Sequence, residues 1–162
     1  MNEDILPGRS YPLGATVYSD GVNFSIFSKS AKIIELLLFD KADDEKPRRI
    51  ITLDRHENRT FYYWHVFIRD LKPGQLYGYR SYGPWDPANG HRFDPQKILV
   101  DPYAKAIVSP RNFSRQSAIV PGDNCRQAMK SAVIADGSYN WEGDRPLNIP
   151  FAVSVIYELH VR

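Results

Sequence analysis

The sequence predicts an all-β fold, a two-sheet antiparallel β-sandwich, and three observations carry that prediction. Short apolar runs with two-residue alternation recur through the first half of the chain. Turns rich in Gly, Pro and Asp separate them, and no run shows the 3.6-residue period of an amphipathic helix. About six or seven such strands at turn-marked intervals are the pattern of two sheets packed face to face.

Taken in order, residues 15–18 and 22–28 flank Ser19-Asp20-Gly21, where Asp-Gly supplies the positive φ of a tight hairpin. Val22, Phe24 and Ile26 share one face of the second run. Residues 32–39 form a nearly continuous apolar strand interrupted by Glu35, and the polar stretch 40–47 leads into a strand at 48–53. Strands at 61–68 and 76–82 then flank Leu71-Lys72-Pro73-Gly74-Gln75, whose proline fixes φ and whose glycine permits a left-handed residue. After Tyr82 the texture changes: Pro84, Pro87, Pro95 and Pro102, three of them preceded by Asp, make residues 83–102 irregular backbone. Residues 103–108 are expected to make one short helical turn capped by Asp101, with Pro102 at its first position. Residues 109–150 are polar and turn-rich around Ala132-Val133-Ile134, which adds a strand or lies along a neighbour. Residues 153–162 are β-branched and aromatic, alternate apolar with polar from Ile156, and have no turn to close them. The expectation is a front piece of a longer protein, its last strand disordered, folded back on the sandwich, or paired with another molecule.

Composition narrows the function. With 162 residues, 43% hydrophobic and 13% aromatic, the chain can bury a core without disulfides or metals. Its 21 basic residues are scattered among 19 acidic ones, and the one compact cluster, Lys46-Pro47-Arg48-Arg49, follows Asp43-Asp44-Glu45. That is a solvated loop, and nucleic acid is not an expected partner. The single Cys125 is a bystander thiol with no metal-ligand spacing around it. The N-terminal residues are acidic with an early proline, unlike a signal peptide, and no stretch is long enough to span a bilayer. A cytoplasmic setting away from membranes is expected.

Five segments then carry a resemblance: residues 12–16 (PLGAT), 74–80 (GQLYGYR), 83–87 (GPWDP), 90–95 (GHRFDP) and 99–106 (LVDPYAKA). In order and approximate spacing they resemble the N-terminal region of bacterial glycogen debranching enzymes and isoamylases, in the α-amylase superfamily (glycoside hydrolase family 13). Residues 155–162 (VIYELHVR) resemble the first strand of that family's catalytic barrel. The resemblance implies an immunoglobulin-like sandwich of the glycogen- and starch-associated kind. It divides the chain into an N-terminal tail (1–10), the sandwich with its Pro-rich packing segment (11–108), a connector (109–150) and the start of a truncated (β/α)8 barrel (151–162). It also implies a parent that hydrolyses α-1,6 branch linkages in glycogen or amylopectin by a retaining mechanism, with two carboxylates about 5 Å apart on later barrel strands. The implied partners are an α-glucan, reached through the parent enzyme, and the chain's own barrel. No cofactor is implied. Two alternatives stand beside this: a free-standing glycogen- or starch-binding module, and a structural interdomain sandwich of a branching or trehalose-releasing relative.

The candidate residues follow from chemistry. Glu158 lies in the barrel-like run, but a retaining mechanism needs two positioned carboxylates, so a structural role is expected and no catalytic residue is assigned. Asp86, Asp94 and Asp101 each precede proline and are read as turn and cap residues. The pairs Glu158 with His160 and His91 with Asp94 lack a third partner, so no metal site is assigned. Sugar rings stack on flat aromatic faces, which makes Trp85, Tyr82, Trp64 and Trp141 the carbohydrate-binding candidates. Trp64 shares a face with Val66 and Ile68, a core pattern, and Trp85 can equally pack against the barrel. Phe93, Leu99, Tyr103, Ile156, Tyr157 and His160 are the candidates for interdomain packing.

Overall fold

The computed structural model describes residues 4–135, 137 and 140–160. In chain order its strands are β1 (Ile5–Leu6), β2 (Gly14–Tyr18), β3 (Gly21–Phe27), β4 (Ile33–Phe39), β5 (Arg49–Thr52) and β6 (Arg59–Thr60). There follow β7 (Tyr63–Arg69), β8 (Leu76–Tyr82), β9 (Trp85–Asp86), β10 (His91–Arg92), β11 (Ala106–Val108) and β12 (Lys130–Ala132). One five-stranded sheet runs β1-β7-β3-β2, with β6 also on β7, a second runs β11-β12-β8-β4-β5, and β9 with β10 forms a separate two-stranded ribbon; every pairing is antiparallel.

The alternation read from sequence places the core. Val22 and Phe24 of β3 and Trp64, Val66 and Ile68 of β7 face Ile34, Leu36 and Leu38 of β4 and Tyr77 and Tyr79 of β8. Phe24 meets Tyr77 edge-on at 5.0 Å, a geometry that aligns a ring's positive rim with its neighbour's negative face. The unbroken apolar run of β4 has its cause in the second half of the chain. Leu37 and Phe39 point to the other side of the sheet, where Ile98, Cys125 and Ala128 cover them. Both faces of β4 are therefore buried.

Several expectations are corrected. The hairpin between β2 and β3 pairs Tyr18 with Gly21, so its loop is Ser19-Asp20, and neither residue has positive φ. Gly21 is instead extended, and a Cβ there would sit 2.2 Å from the Ile68 carbonyl oxygen; close approach of β3 to β7 requires the glycine. Gly74 does take the expected left-handed φ of 93°, and its turn carries the chain from β7 in one sheet to β8 in the other. Residues 103–108 do not form a helical turn. Asp101 Oδ1 accepts the Tyr103 N–H at 2.8 Å, as a cap would, yet the chain then extends into β11, whose backbone groups find partners on β12. Residues 4–10, read as a tail, pair through β1 and then strap the first sheet, where Asn23 exchanges two hydrogen bonds with the Arg9 backbone. Within residues 109–150 the strand allowed for around Ala132-Val133-Ile134 is present as β12, two residues earlier in the chain. Residues 154–160 form no strand: after a 3-10 turn at Phe151–Val153 they are exposed and pair with no other segment among the described residues, and a strand exists only by its ladder.

A candidate glucan groove

The Pro-rich segment builds the main groove. Trp85 and Arg92 lie directly opposite across the β9–β10 ribbon, joined by a 3-10 turn at Pro87–Asn89 that Gly90 ends in the left-handed conformation. The ribbon is anchored where Phe93 lies on Gly83, so closely that a Cβ on Gly83 would reach within 2.5 Å of the ring. Leu99 then pairs with Tyr79 along the free part of β8, exchanging backbone bonds of 2.7 and 2.8 Å. Between ribbon, Leu99 and the loop around Ile119 opens a groove of about 570 Å³, within the usual range for small-ligand sites.

Two buried polar side chains fix the far wall. The Lys97 ammonium donates to the carbonyls of Ser117, Val120 and Gly122 at 3.0, 2.5 and 2.5 Å, which uses all three of its protons. Its charge is therefore spent on the loop rather than offered to a ligand. Asn124 Oδ1 accepts the Ile98 N–H at 2.8 Å and ties the same loop to β8's neighbour. Behind the wall Lys130 is fully buried, donating to the carbonyls of Cys125 and Ala128, and burial holds its pKa below the ordinary lysine value. Burial likewise pushes the Cys125 thiol up, so it is inert at neutral pH.

The surface left open has one chemistry. Trp85 is 66% exposed at the groove mouth, Arg92 and Asp94 supply a donor and an acceptor, and Phe93, Leu99 and Ile119 supply apolar walls. A pyranose presents an apolar C–H face rimmed by hydroxyls, which matches an indole face beside such groups.

The other sequence candidates are dispersed. Trp64 is fully buried, donates its indole N–H to the Ser28 carbonyl at 3.2 Å and offers no face to a sugar. Tyr82 leaves β8 on the face opposite Ser81, so Ser81 lines the groove while the Tyr82 hydroxyl donates to Glu35 Oε2 at 3.4 Å. Trp141 is exposed, with no strand among the described residues from 133 to 150 around it. Of the interdomain candidates, Phe93 and Leu99 line the groove, while Tyr103, Ile156, Tyr157 and His160 lie outside it and are exposed or half-exposed. Asp86, Asp94 and Asp101 take turn roles, accepting from Asn89 Nδ2, Gln96 N–H and Tyr103 N–H at 2.7, 2.9 and 2.8 Å. Asp101 does more than cap. Its other oxygen accepts the Tyr77 hydroxyl at 2.8 Å inside the sandwich, and burial raises its pKa above the usual carboxylate range. Glu158 is exposed, and no group of three His, Cys, Asp or Glu side chains suited to a metal occurs among the described residues. Sequence reasoning missed Lys97, Arg92 and Ile119. Arg92 was within reach, in residues 90–95 of the same proline-rich segment that carries Trp85, whereas nothing local marks Lys97 as buried.

Known proteins agree with this architecture. The chain is 41% identical over 160 residues to the glycogen debranching enzyme of Cronobacter sakazakii, covering 96% of this chain and 23% of that protein. It is 42% identical over 161 residues to the chloroplastic isoamylase 1 of Arabidopsis thaliana, covering 98% of this chain and 20% of that one. It thus spans less than a quarter of the length of these curated relatives. Among solved structures, the pneumococcal glycogen-degrading virulence factor SpuA superposes with a TM-score of 0.53 over 77% of this chain and 12% of that chain at 24% identity. The Group B Streptococcus pullulanase SAP gives 0.51 over 78% of this chain and 15% of that chain at 22% identity, and both likenesses speak to the fold alone. The model of carbohydrate-binding module 48, the isoamylase N-terminal domain, matches residues 12–104, more than half of the chain. Sandwich, proline-rich segment and family model coincide, and the chain belongs to the carbohydrate-binding module 48 family of isoamylase N-terminal domains.

Proposed function

We propose that this chain is the non-catalytic N-terminal module of an α-glucan debranching enzyme, and that its Trp85 groove holds a glucan chain beside the catalytic barrel. One observation carries the reading: a tryptophan, 66% exposed, stands at the mouth of a groove whose polar rim suits a sugar. The relatives' names and lengths support the parent's activity, hydrolysis of α-1,6 branch linkages in glycogen or amylopectin. In this reading residues 151–162 begin the barrel, and its Ile156, Tyr157 and His160 form the packing between barrel and sandwich together with the exposed Tyr103. The retaining chemistry resides in the barrel's carboxylates, and the chain alone cleaves no glucan. A cytoplasmic location belongs to the same proposal; it is in keeping with a free, buried Cys125 and with the lack of a membrane-spanning helix among the described residues.

The test uses the parent protein on glycogen. Wild type should release linear chains, and Trp85→Ala should raise KM for glycogen while leaving kcat nearly unchanged, because the lost contact is remote from the bond being broken. A parent without branch-specific hydrolysis would contradict the enzyme assignment, and an unchanged KM in the variant would contradict the groove's role.

A further inference from the structure

A second aromatic surface lies on the other sheet, at the turn between β6 and β7. Thr60 pairs with Tyr63, so Phe61 and Tyr62 form a two-residue hairpin loop. Phe61 has φ of 59°, a left-handed value at the loop position where such turns normally carry glycine. The strained residue holds its ring 75% exposed, so burial of that ring does not compensate the strain. A bulky side chain kept in such a conformation and pointed at solvent is the mark of a surface built for contact.

The neighbours complete that surface. The Phe61 and Tyr62 rings lie 4.1 Å apart, and Phe27, itself 45% exposed, meets Tyr62 and Tyr63 edge-on at 6.2 and 5.4 Å. Arg59 pins the turn from below: its Nε donates to the Phe61 carbonyl at 2.8 Å, and its guanidinium lies 5.0 Å from the Trp64 ring and 5.8 Å from Tyr62. Lys29 stands 5.9 Å from the Tyr62 ring. Two open apolar faces are thus flanked by cationic donors and a tyrosine hydroxyl, with no carboxylate among these contacts.

We infer that Phe61, Phe27 and Tyr62 form a second α-glucan platform, separate from the Trp85 groove and on the opposite sheet. The inference rests on the proposal that this module engages glucan. An uncharged polymer with repeating apolar sugar faces fits the site because stacking supplies contact area and the Arg59, Lys29 and Tyr62 donors meet hydroxyls without needing a countercharge. Two platforms on one rigid sandwich would hold a branched or long glucan at two points, which raises retention beyond either contact alone.

The test is affinity electrophoresis of the 162-residue chain in gels containing glycogen, with thermal melting alongside. Phe61→Asn suits it because Asn tolerates the left-handed conformation, so the turn survives while the ring is lost. The expected result is a melting temperature equal to or above wild type and a glycogen affinity lower by about fivefold, the size of one lost aromatic contact. Phe61→Trp, which keeps a stacking face, should retain wild-type retention. Phe61→Asn retained as strongly as wild type, while Trp85→Ala is weakened, would overturn this platform and leave the groove standing. Weakening by Phe61→Asn with no effect of Trp85→Ala would support the platform and overturn the groove. Wild type that is not retarded by glycogen at all would overturn both.

Discussion

Replacing Lys97 by Met should open the wall of the Trp85 groove without unfolding the sandwich. Methionine keeps the apolar stem but removes the ammonium that binds three carbonyls. A hydrogen bond to a charged group contributes about 1.5–3 kcal/mol, and a carbonyl left at a wet surface recovers part of that from water. The Ser117 bond is buried, while those to Val120 and Gly122 are at the rim. Counting the first in full and the others at half gives a loss of about 3–6 kcal/mol, confined to residues 115–122. The amides of Ala118, Ile119 and Val120, which donate to the carbonyls of Arg115 and Gln116, report that loop directly. Their hydrogen-exchange protection should fall by about a hundredfold or more, whereas the core amides of β3 and β7 should change little. Glucan affinity should fall with it, since Ile119 forms the groove's far wall. Unchanged protection at those three amides in Lys97→Met would refute the role given to the ammonium.

Trp64→Ala should cost about 3–5 kcal/mol, because it empties a fully buried site and strips the Ser28 carbonyl of its donor; urea titration checks this, and a loss below about 1 kcal/mol would contradict the core placement. Asp101 predicts a pH dependence. A carboxyl whose pKa is raised on folding binds its proton more tightly in the native state, so it favours folding below the ordinary value of 3.8 and loses that contribution as pH rises through the folded value. Comparing urea midpoints from about pH 4 to about pH 7, Asp101→Asn should show a smaller fall in stability than wild type. The comparison with Asn is needed because Asp4, held below the carboxylate range by its hydrogen bonds to Arg49, works in the opposite direction. Identical profiles would show that burial of Asp101 has no energetic consequence.

Much of the sandwich was legible because its long strands announce their inner faces. Val22 and Phe24 alternate with polar neighbours, Trp64, Val66 and Ile68 recur at every second position, and turn residues separate the runs. The short strands were not legible. Ile5–Leu6, Arg59–Thr60 and Lys130–Ala132 are too brief for a period to register; the first and last are strands only because a partner far along the chain offers free backbone groups, while Arg59–Thr60 pairs across a tight hairpin with β7. Gly21 illustrates a second limit: Asp-Gly signalled a turn, but the glycine is required by the Ile68 carbonyl, 47 positions away in sequence and invisible from local chemistry. Trp85 could be named from its setting in the Pro-rich loop. The groove around it could not, since its wall depends on Lys97 finding three carbonyls that no local pattern brings together.

The central claim is that the module grips α-glucan through Trp85, and calorimetric titration of the chain with maltoheptaose tests it most directly. The account predicts saturable heat of binding that Trp85→Ala weakens by about tenfold at unchanged melting temperature, the loss expected for one exposed indole stack. Absence of binding heat from the folded wild-type chain, or binding that Trp85→Ala leaves intact, would contradict it.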